Sequence, residues 1–413
     1  MSALLANDPA LPQRDVLVDE AVMAQYLSRL IARYGDSGIN NCERLRTKYH
    51  VGASLRVLYE VSGGGHAYRI AARAFPRSQR VTNKRTSTPE IYAPELNTIF
   101  WIFPHDRKIK NLIVLSGIPE ELRDIEGCEW VESRIVGHVP EKSVTAQCLD
   151  QDHQIIAYAK IYAGEEGREV YDAYQEIHAA LKAGVVQLRI PRALSYYDKH
   201  HLLLLESVPG VPLSVLQPAN REYAYCRLGE ALNKLHGITP PSSIPGSTRL
   251  APEGLMQAAA TIGQARPEVA GLAQRLASKL IVDYEKLSDA RPVLLHGDLH
   301  PKNILMDDDR LFLLDLDQAA TGAAALDVGS VIAGLYCEAC TGLLTENASS
   351  SLISAFLTGY GVAGESLRWY VAAALLEERA LRTVTRIRFG GLEKLPEILT
   401  TAEAVLNGGI SAN

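Results

Sequence analysis

Val293-Leu-Leu-His-Gly-Asp-Leu-His-Pro-Lys-Asn-Ile-Leu-Met306 runs on through Asp307-Asp-Asp-Arg310 into Leu311-Phe-Leu-Leu-Asp-Leu-Asp317, and this stretch decides the fold. Apolar runs flank a polar cluster on both sides, the pattern of a polar loop held between buried strands. The three acids at 307–309 read as a solvated hairpin turn. That turn pairs residues 304–306 with 311–314 and fixes Asp315 at the end of the second strand. Within the loop, His296-x-Asp298-x-x-x-x-Asn303 precedes the Asp of the next strand. Phosphoryl transfer needs such a set: one carboxylate to receive the acceptor hydroxyl's proton, and an Asn with a second Asp to hold Mg²⁺ against nucleotide phosphates. The step from 298 to 303 lets both side chains converge from opposite ends of one tight loop.

Upstream, residues 143–149 and 155–162 read as strands around the turn Asp150-Gln-Asp152, followed by a helix over 165–183. Leu202-Leu-Leu-Leu-Glu206 is an apolar strand that Val208-Pro-Gly-Val-Pro212 breaks. From Arg221 onward the chain is mainly helical, interrupted at 240–245 and 293–327. Near the N-terminus, Val16, Val18, Ala21, Val22, Tyr26, Leu27, Leu30 and Ile31 recur at helical spacing and predict an amphipathic helix over 16–35. Strands at 55–61 and 67–75 surround Gly63-Gly-Gly65, and a polar, basic loop follows over 76–90. The two hairpins share a pattern. His50-Val51 precedes Arg73 much as His138-Val139 precedes Lys160, which fits either an internal duplication or two ordinary hairpins.

The loop His296-Gly-Asp-Leu-His-Pro-Lys-Asn303 resembles the catalytic loop of the aminoglycoside phosphotransferase family, which carries H-G-D where protein kinases carry H-R-D. Leu314-Asp315-Leu-Asp317, with the later Gly322 and Asp327, is similar to that family's metal-binding segment. The resemblance covers about 135–335. It implies an α+β, bilobal protein-kinase-like fold: a nucleotide-binding N-lobe over 131–212 and a mainly helical C-lobe over 213–413. An additional α/β region over 1–130 caps or braces it. The resemblance makes Asp298 the catalytic base, with His296 and Asp327 buttressing the loop. Asn303 and Asp315 hold Mg²⁺, and Asp317 is either a further metal contact or a loop acid. Lys160 matches the strand lysine that grips nucleotide phosphates, and Glu176 fits best as its helix partner, with Glu169 in reserve. The backbone from Glu206 to Val208 matches the hinge that holds adenine. The implied cofactors are ATP and Mg²⁺.

The chain departs from protein kinases in lacking G-x-G-x-x-G, D-F-G and A-P-E; residues 136–143 stand where the phosphate-covering loop belongs. The expected acceptor is therefore the hydroxyl of a small molecule: an aminoglycoside, a sugar or an amino alcohol. A polycation would call for acids, and Glu222, Glu230, Glu377 and Glu378 are available for that or for ordinary solvation. The alternative is a catalytically inactive, kinase-like nucleotide-binding regulator; the intact Asp298, Asn303, Asp315 and Lys160 argue against it. Residues 1–130 are similar to the extra N-terminal segment of bacterial maltokinases. They are expected to leave the nucleotide alone, because Arg73 is forked where a compact ammonium is wanted.

Composition narrows the classes further. The 413 residues are 47% hydrophobic and 22% charged, with a net charge of −6, which excludes a mainly disordered chain and leaves no basic footprint for nucleic acid. The basic cluster at 77–85 reads as a solvated loop. Six scattered cysteines do not form a disulfide framework, and Cys337-x-x-Cys340 lacks the second pair of a zinc site. With neither a leader nor a membrane span, the expected location is the cytoplasm. No feature sets an oligomeric state.

Overall fold

The computed structural model describes residues 4–32, 39–63, 65–79, 90–182, 188–287, 291–361, 364 and 366–408. Two five-stranded antiparallel sheets dominate its first half. One runs in the spatial order Ile39–His50, Ser54–Gly63, His66–Ala74, Thr98–Ile102, Ile91–Ala93. The other runs Glu132–Val139, Ser143–Leu149, Ile155–Tyr162, Leu202–Glu206, Ala193–Tyr197. In both, chain order and spatial order differ in the same way, the fourth strand lying outside the fifth.

The likeness extends to register. Arg73 lies opposite Arg56, the third residue of its strand, and Ile99, the second residue of its strand. Lys160 lies opposite Thr145 and Leu203, which hold the same ranks. A single 3₁₀ turn joins the last two strands of each sheet, Pro94–Leu96 in one and Asp198–His200 in the other. Each turn ends on a left-handed residue, Asn97 (φ 41°) or His201 (φ 48°). The carbonyl of that residue accepts from the amide two positions after the strand cation: Phe75 to Asn97 at 3.1 Å, Tyr162 to His201 at 3.0 Å. Two unrelated hairpins would not share order, register, turn and cross-link, so the N-terminal sheet is a structural repeat of the second one.

Helix Glu166–Lys182 follows the second sheet's third strand and buries Val170, Tyr174, Ile177 and Leu181, a stripe at i, i+4, i+7 and i+11. The helix expected over 16–35 is broken into Arg14–Val18 and Glu20–Ala32. Asp19 is the cause: its backbone is extended (ψ 108°) and its carboxylate accepts the Val22 amide at 3.0 Å, the role of an N-cap. The end of that expected helix, at 33–35, and the basic cluster beyond residue 79 lie outside the described residues.

The two sheets meet at one ion cluster. The turn between the first two strands of the second sheet carries Glu141, whose carboxylate is fully buried. It receives Arg56 at 3.2 Å, Arg107 at 2.5 Å and also Arg73, while the Glu141 amide donates to Asp106 at 3.0 Å. The N-terminal region contacts the C-terminal helices too. Arg44 donates to the Ile387 carbonyl at 3.2 Å and lies over the Phe389 ring, and the Ala6 amide donates to Ala265 at 2.8 Å.

The C-terminal half is helical, built on Pro218–His236, Pro252–Ala265, Ala270–Tyr284, Ala325–Cys340, Glu346–Tyr360 and Leu395–Leu406. Helix Leu367–Ala374 continues through a π-helical stretch, Leu375–Ala380, into Leu381–Thr385. Among the described residues no helix is long and apolar enough to cross a membrane. All six cysteines are free.

Removing the Glu141 carboxylate would leave three guanidinium groups facing each other without their anion. Glu141→Ala is expected to lower stability by about 2–3 kcal/mol, the scale of lost hydrogen bonds to a charged group. Urea denaturation checks this, and a loss below about 0.5 kcal/mol would show that the cluster holds nothing in place.

Candidate active site

The site grows from one hairpin. Ile304–Asp307 pairs with Arg310–Leu313, with Asp308 (φ 52°) in the turn. One further bond, from the Leu314 amide to the Asn303 carbonyl at 2.8 Å, extends the ladder to its open end. Asn303 and Asp315 therefore flank the mouth of the same hairpin. Asp315 sits there in the left-handed region (φ 64°, ψ 67°), a conformation that Asp tolerates better than most side chains.

The preceding loop is held from beneath by Asp327, the fully buried acid near the start of helix Ala325–Cys340. Its two oxygens accept the His296 amide at 2.7 Å and the Gly297 amide at 3.2 Å. Burial alone would raise its pKa, but His236 at 3.6 Å and Arg249 at 3.3 Å outweigh burial and hold it well below the usual carboxylate range. Buried His296 accepts the Asp298 amide on Nδ1 at 3.3 Å, so its Nε2 donates to the Leu314 carbonyl at 2.9 Å. The imidazole thus ties the loop to the hairpin. Asn303 completes the loop by donating to the Asp298 carbonyl at 3.2 Å.

The Asp298 side chain projects half-exposed, with Arg382 Nη1 3.5 Å from its Oδ1. Buried Lys160 reaches Asp315 at 2.8 Å and Asp317 at 2.6 Å, and the Tyr162 hydroxyl donates to Asp317 at 2.9 Å. Burial works against the Lys160 charge, but the two carboxylates outweigh it and raise its pKa. Burial likewise opposes the Asp315 anion, yet the Lys160 ammonium keeps its carboxyl below the ordinary value. Asp317 goes the other way, pushed up by burial and by the neighbouring Asp315 charge despite Lys160.

The helix partner expected for Lys160 is not there. Glu176 is exposed and accepts from Ser243 Oγ at 2.5 Å, and Glu169 is exposed as well. The buried stripe of their helix runs through Val170, Tyr174 and Ile177, so both acids point off the face that meets the site. Tyr174 occupies that face, and its hydroxyl accepts the Leu316 amide at 3.3 Å.

Two cavities adjoin the loop. One, of about 220 Å³, is lined by Lys160, Asn303 and Asp315 together with Leu205, Glu206 and Val208. The Glu206 carboxylate itself is engaged by Arg192, at 3.0 Å to the amide and 3.2 Å to Nε. The other cavity, of about 510 Å³, lies between the loop residues Leu299, His300 and Lys302 and the C-terminal residues Arg379, Thr383 and Arg388. None of the four acids considered for a polycationic acceptor lines it. Glu222 is exposed on its helix, Glu230 pairs with Arg227, Glu378 is buried against Arg249 and Ser330, and Glu377 stands over Gly254.

Among the described residues no cluster of three or more His, Cys, Asp or Glu forms a ready-made metal cage. Mg²⁺ in phosphoryl-transfer sites is typically bound by one or two carboxylates and the substrate's own phosphates. The oxygens of Asn303, Asp315 and Asp317 beside an open cavity fit that need. Sequence reasoning missed Arg382, Tyr162 and Arg249. The spacing of Arg379, Arg382, Arg386 and Arg388 carried a signal for the first; the other two emerge only when distant segments meet.

The fold is that of protein-kinase-like phosphotransferases. A thermostable mutant of aminoglycoside phosphotransferase APH(4)-Ia, in a ternary complex with AMP-PNP and hygromycin B, superposes with a TM-score of 0.51 at 14% identity over 72% of this chain and 99% of that one. Its apo form gives 0.50 at 15% identity, over 68% and 96% of the two chains. A choline/ethanolamine kinase family protein from Mesorhizobium loti matches at 0.46 and 16% identity, over 71% and 92%. A search of curated proteins finds no significant match. The sequence profile of the phosphotransferase enzyme family (APH) matches residues 151–370, more than half of the chain, and the chain belongs to that family.

Gly297 shows how tightly the loop is built. Its φ is +84°, and a Cβ there would lie 1.8 Å from the Gln318 carbonyl oxygen. Gly297→Ala is expected to cost at least about 2 kcal/mol, combining left-handed strain with overpacking against backbone. Equilibrium unfolding checks this, and a variant within about 0.5 kcal/mol of the parent would refute the close approach.

Proposed function

We propose that this protein transfers the γ-phosphoryl group of ATP to a hydroxyl group of a small molecule. The observation that carries the reading is the meeting of Asp298, Asn303, Asp315 and Lys160 around one hairpin and one cavity. In this reading the Asp298 carboxylate orients the acceptor hydroxyl and takes its proton. Lys160 binds phosphate oxygens, which replace part of its present pairing with Asp315 and Asp317. Asn303 and Asp315, with Asp317 beside them, hold Mg²⁺, which when bound neutralises charge on the phosphates. The segment from Glu206 to Val208 receives the adenine. His296 keeps the loop in place through Leu314 and does not touch substrate.

The same reading assigns 131–212 to nucleotide binding, 213–413 to catalysis and acceptor binding, and 1–130 to bracing the nucleotide-covering turn through Glu141. The protein would act where ATP is abundant, in the cytoplasm. The residues that a catalytically inactive regulator would be free to lose are all present, which favours an enzyme.

Asp298→Ala is expected to reduce kcat by about 10²–10⁴-fold while ATP affinity changes less than about threefold. A phosphate-transfer assay with pooled hydroxylated metabolites, paired with nucleotide-binding calorimetry, reads both. Turnover within tenfold of the parent would remove Asp298 from this role.

Asn303→Ala and Asp315→Asn are expected to raise the Mg²⁺ concentration needed for half-maximal turnover, because each removes or weakens a hard oxygen ligand. Unchanged Mg²⁺ titrations in both variants would contradict the assignment.

A further inference from the structure

Around Asp298 the protein gathers cations in a number that a neutral or cationic acceptor would not need. They arrive from three separate elements. Strand Ile39–His50 of the N-terminal sheet contributes Arg46 and Lys48, both exposed, with Arg56 in register opposite Lys48. The turn that carries Glu141 contributes Lys142. Helix Leu381–Thr385 and the residues after it contribute Arg382, Arg386 and Arg388. Arg382 is 3.5 Å from Asp298, and Arg388 lines the larger cavity.

Arg46 feels the charges of Asp298, Asp315 and Arg388, while Lys48 feels those of Arg56, Lys142, Arg46 and Arg386. Arg386 in turn feels Arg382, Arg388, Arg46 and Asp298, and the Arg44 contacts with the Ile387 carbonyl and the Phe389 ring lay strand Ile39–His50 against this same segment, so these charges gather in one place. Asp298 and Asp315 are the carboxylates that Arg46 and Arg386 face, and Asp315 is already engaged by Lys160; the other acids stand at the margins, Glu141 against Arg56, Glu377 near Arg382 and Glu338 on the wall of the larger cavity.

Among the described residues, the side chains of Arg46, Lys48, Lys142, Arg386 and Arg388 have no hydrogen bond or ion pair within the protein. Several guanidinium groups elsewhere in this chain are paired with acids, as Arg14, Arg192, Arg249 and Arg266 show, and the unpaired ones there do not gather around one acid. Crowding of unpaired like charges disfavours the folded state unless something else neutralises it. It shows in Arg386, whose pKa burial and then the neighbouring Arg382, Arg388 and Arg46 push down to about 10. ATP would account for only part of the surplus, because in the reading above it is Lys160 and Lys142 that meet the nucleotide. Arg46, Lys48, Arg382, Arg386 and Arg388 remain around the base that receives the acceptor.

Resting on the phosphotransferase reading above, we propose that the acceptor is an anion: a hydroxyl compound that already carries a phosphate or carboxylate group. Arg46, Lys48, Arg386 and Arg388 bind that group and direct its hydroxyl toward Asp298. Two of the four come from the repeated N-terminal sheet, which makes that sheet part of the acceptor site as well as a brace. A polycation such as an aminoglycoside would meet this cleft as like charge.

The test uses the full chain and matched probes: glucose 6-phosphate, glucose, glucosamine and kanamycin. With Mg²⁺ and ATP, the phosphorylated probe is expected to give at least a tenfold higher kcat/KM than glucose, with the two amines below glucose. Arg46→Ala and Arg386→Ala should each raise KM for glucose 6-phosphate at least tenfold and KM for ATP less than threefold. A parallel melting experiment with Mg²⁺ and AMP-PNP present reads binding without turnover. Glucose 6-phosphate should raise Tm in the parent, and the shift should vanish in both variants. Preference for glucose or an amine, no Tm shift in the parent, or equal shifts in parent and variants would each overturn the proposal. A shift that the variants abolish, with no phosphate transfer to any probe, would support anion recognition while counting against the phosphotransferase reading.

Discussion

The buried carboxylate of Asp327 is the constraint on which the site depends. It accepts two consecutive backbone amides, those of His296 and Gly297, and so fixes the direction in which the chain leaves strand Val293–Leu295. A buried anion would be costly alone. Here it is balanced by Arg249, which spans to Glu378 in the π-helical stretch, and by His236 from the opposite helix. Three helices therefore converge on the acid that positions the loop. With the loop direction set, Gly297 must pass hard against the Gln318 carbonyl, His296 must reach Leu314, and Asp298 must emerge toward the cleft. The residues that would do the chemistry contribute little to holding themselves in place.

A second buried carboxylate, Glu141, does a comparable thing for the turn over 139–143. Protein kinases use a glycine-rich loop there. This chain has Val-Pro-Glu-Lys-Ser over 139–143, and its order comes from outside, through Arg56, Arg73 and Arg107. A turn fixed by three guanidinium groups is less mobile than a glycine-rich one, and two of the three, Arg56 and Arg73, belong to the N-terminal sheet. That sheet is also bound to Ile387 and Phe389, so the turn and the segment that follows Arg382 are held by one sheet.

What the sequence made legible was whatever the chemistry or the backbone needs in consecutive residues. The loop from His296 to Asn303, the acidic hairpin and Asp315 lie within about twenty positions, so periodicity and spacing sufficed to place them. The strands and the helix after Lys160 were legible for the same reason. Glu176 was misassigned because a partner chosen by residue type ignores which face of an amphipathic helix is buried; the stripe of Val170, Tyr174 and Ile177 was there to be used. The break at Asp19 was hidden because the apolar periodicity continues across a residue that caps its own helix. The cationic cleft was out of reach: residues 46, 142 and 386 have no relation in sequence and meet only through the packing of a repeated sheet on the C-terminal helices.

The repeat shows which parts build that cleft. At equivalent positions of the two sheets stand Lys160 and Arg73, and the difference follows from what each must hold. Lys160 is a compact ammonium between Asp315 and Asp317, which in the proposed function would give up part of that pairing to phosphate oxygens. Arg73 is a fork committed to Glu141, which belongs to the other copy. One neighbouring strand of the repeat, Ile39–His50, has no counterpart of that duty, and its outward residues Arg46 and Lys48 have nothing in the protein to bind. The cations of this sheet fall into two sets. One set now grips the neighbouring copy, and the other remains open toward Asp298.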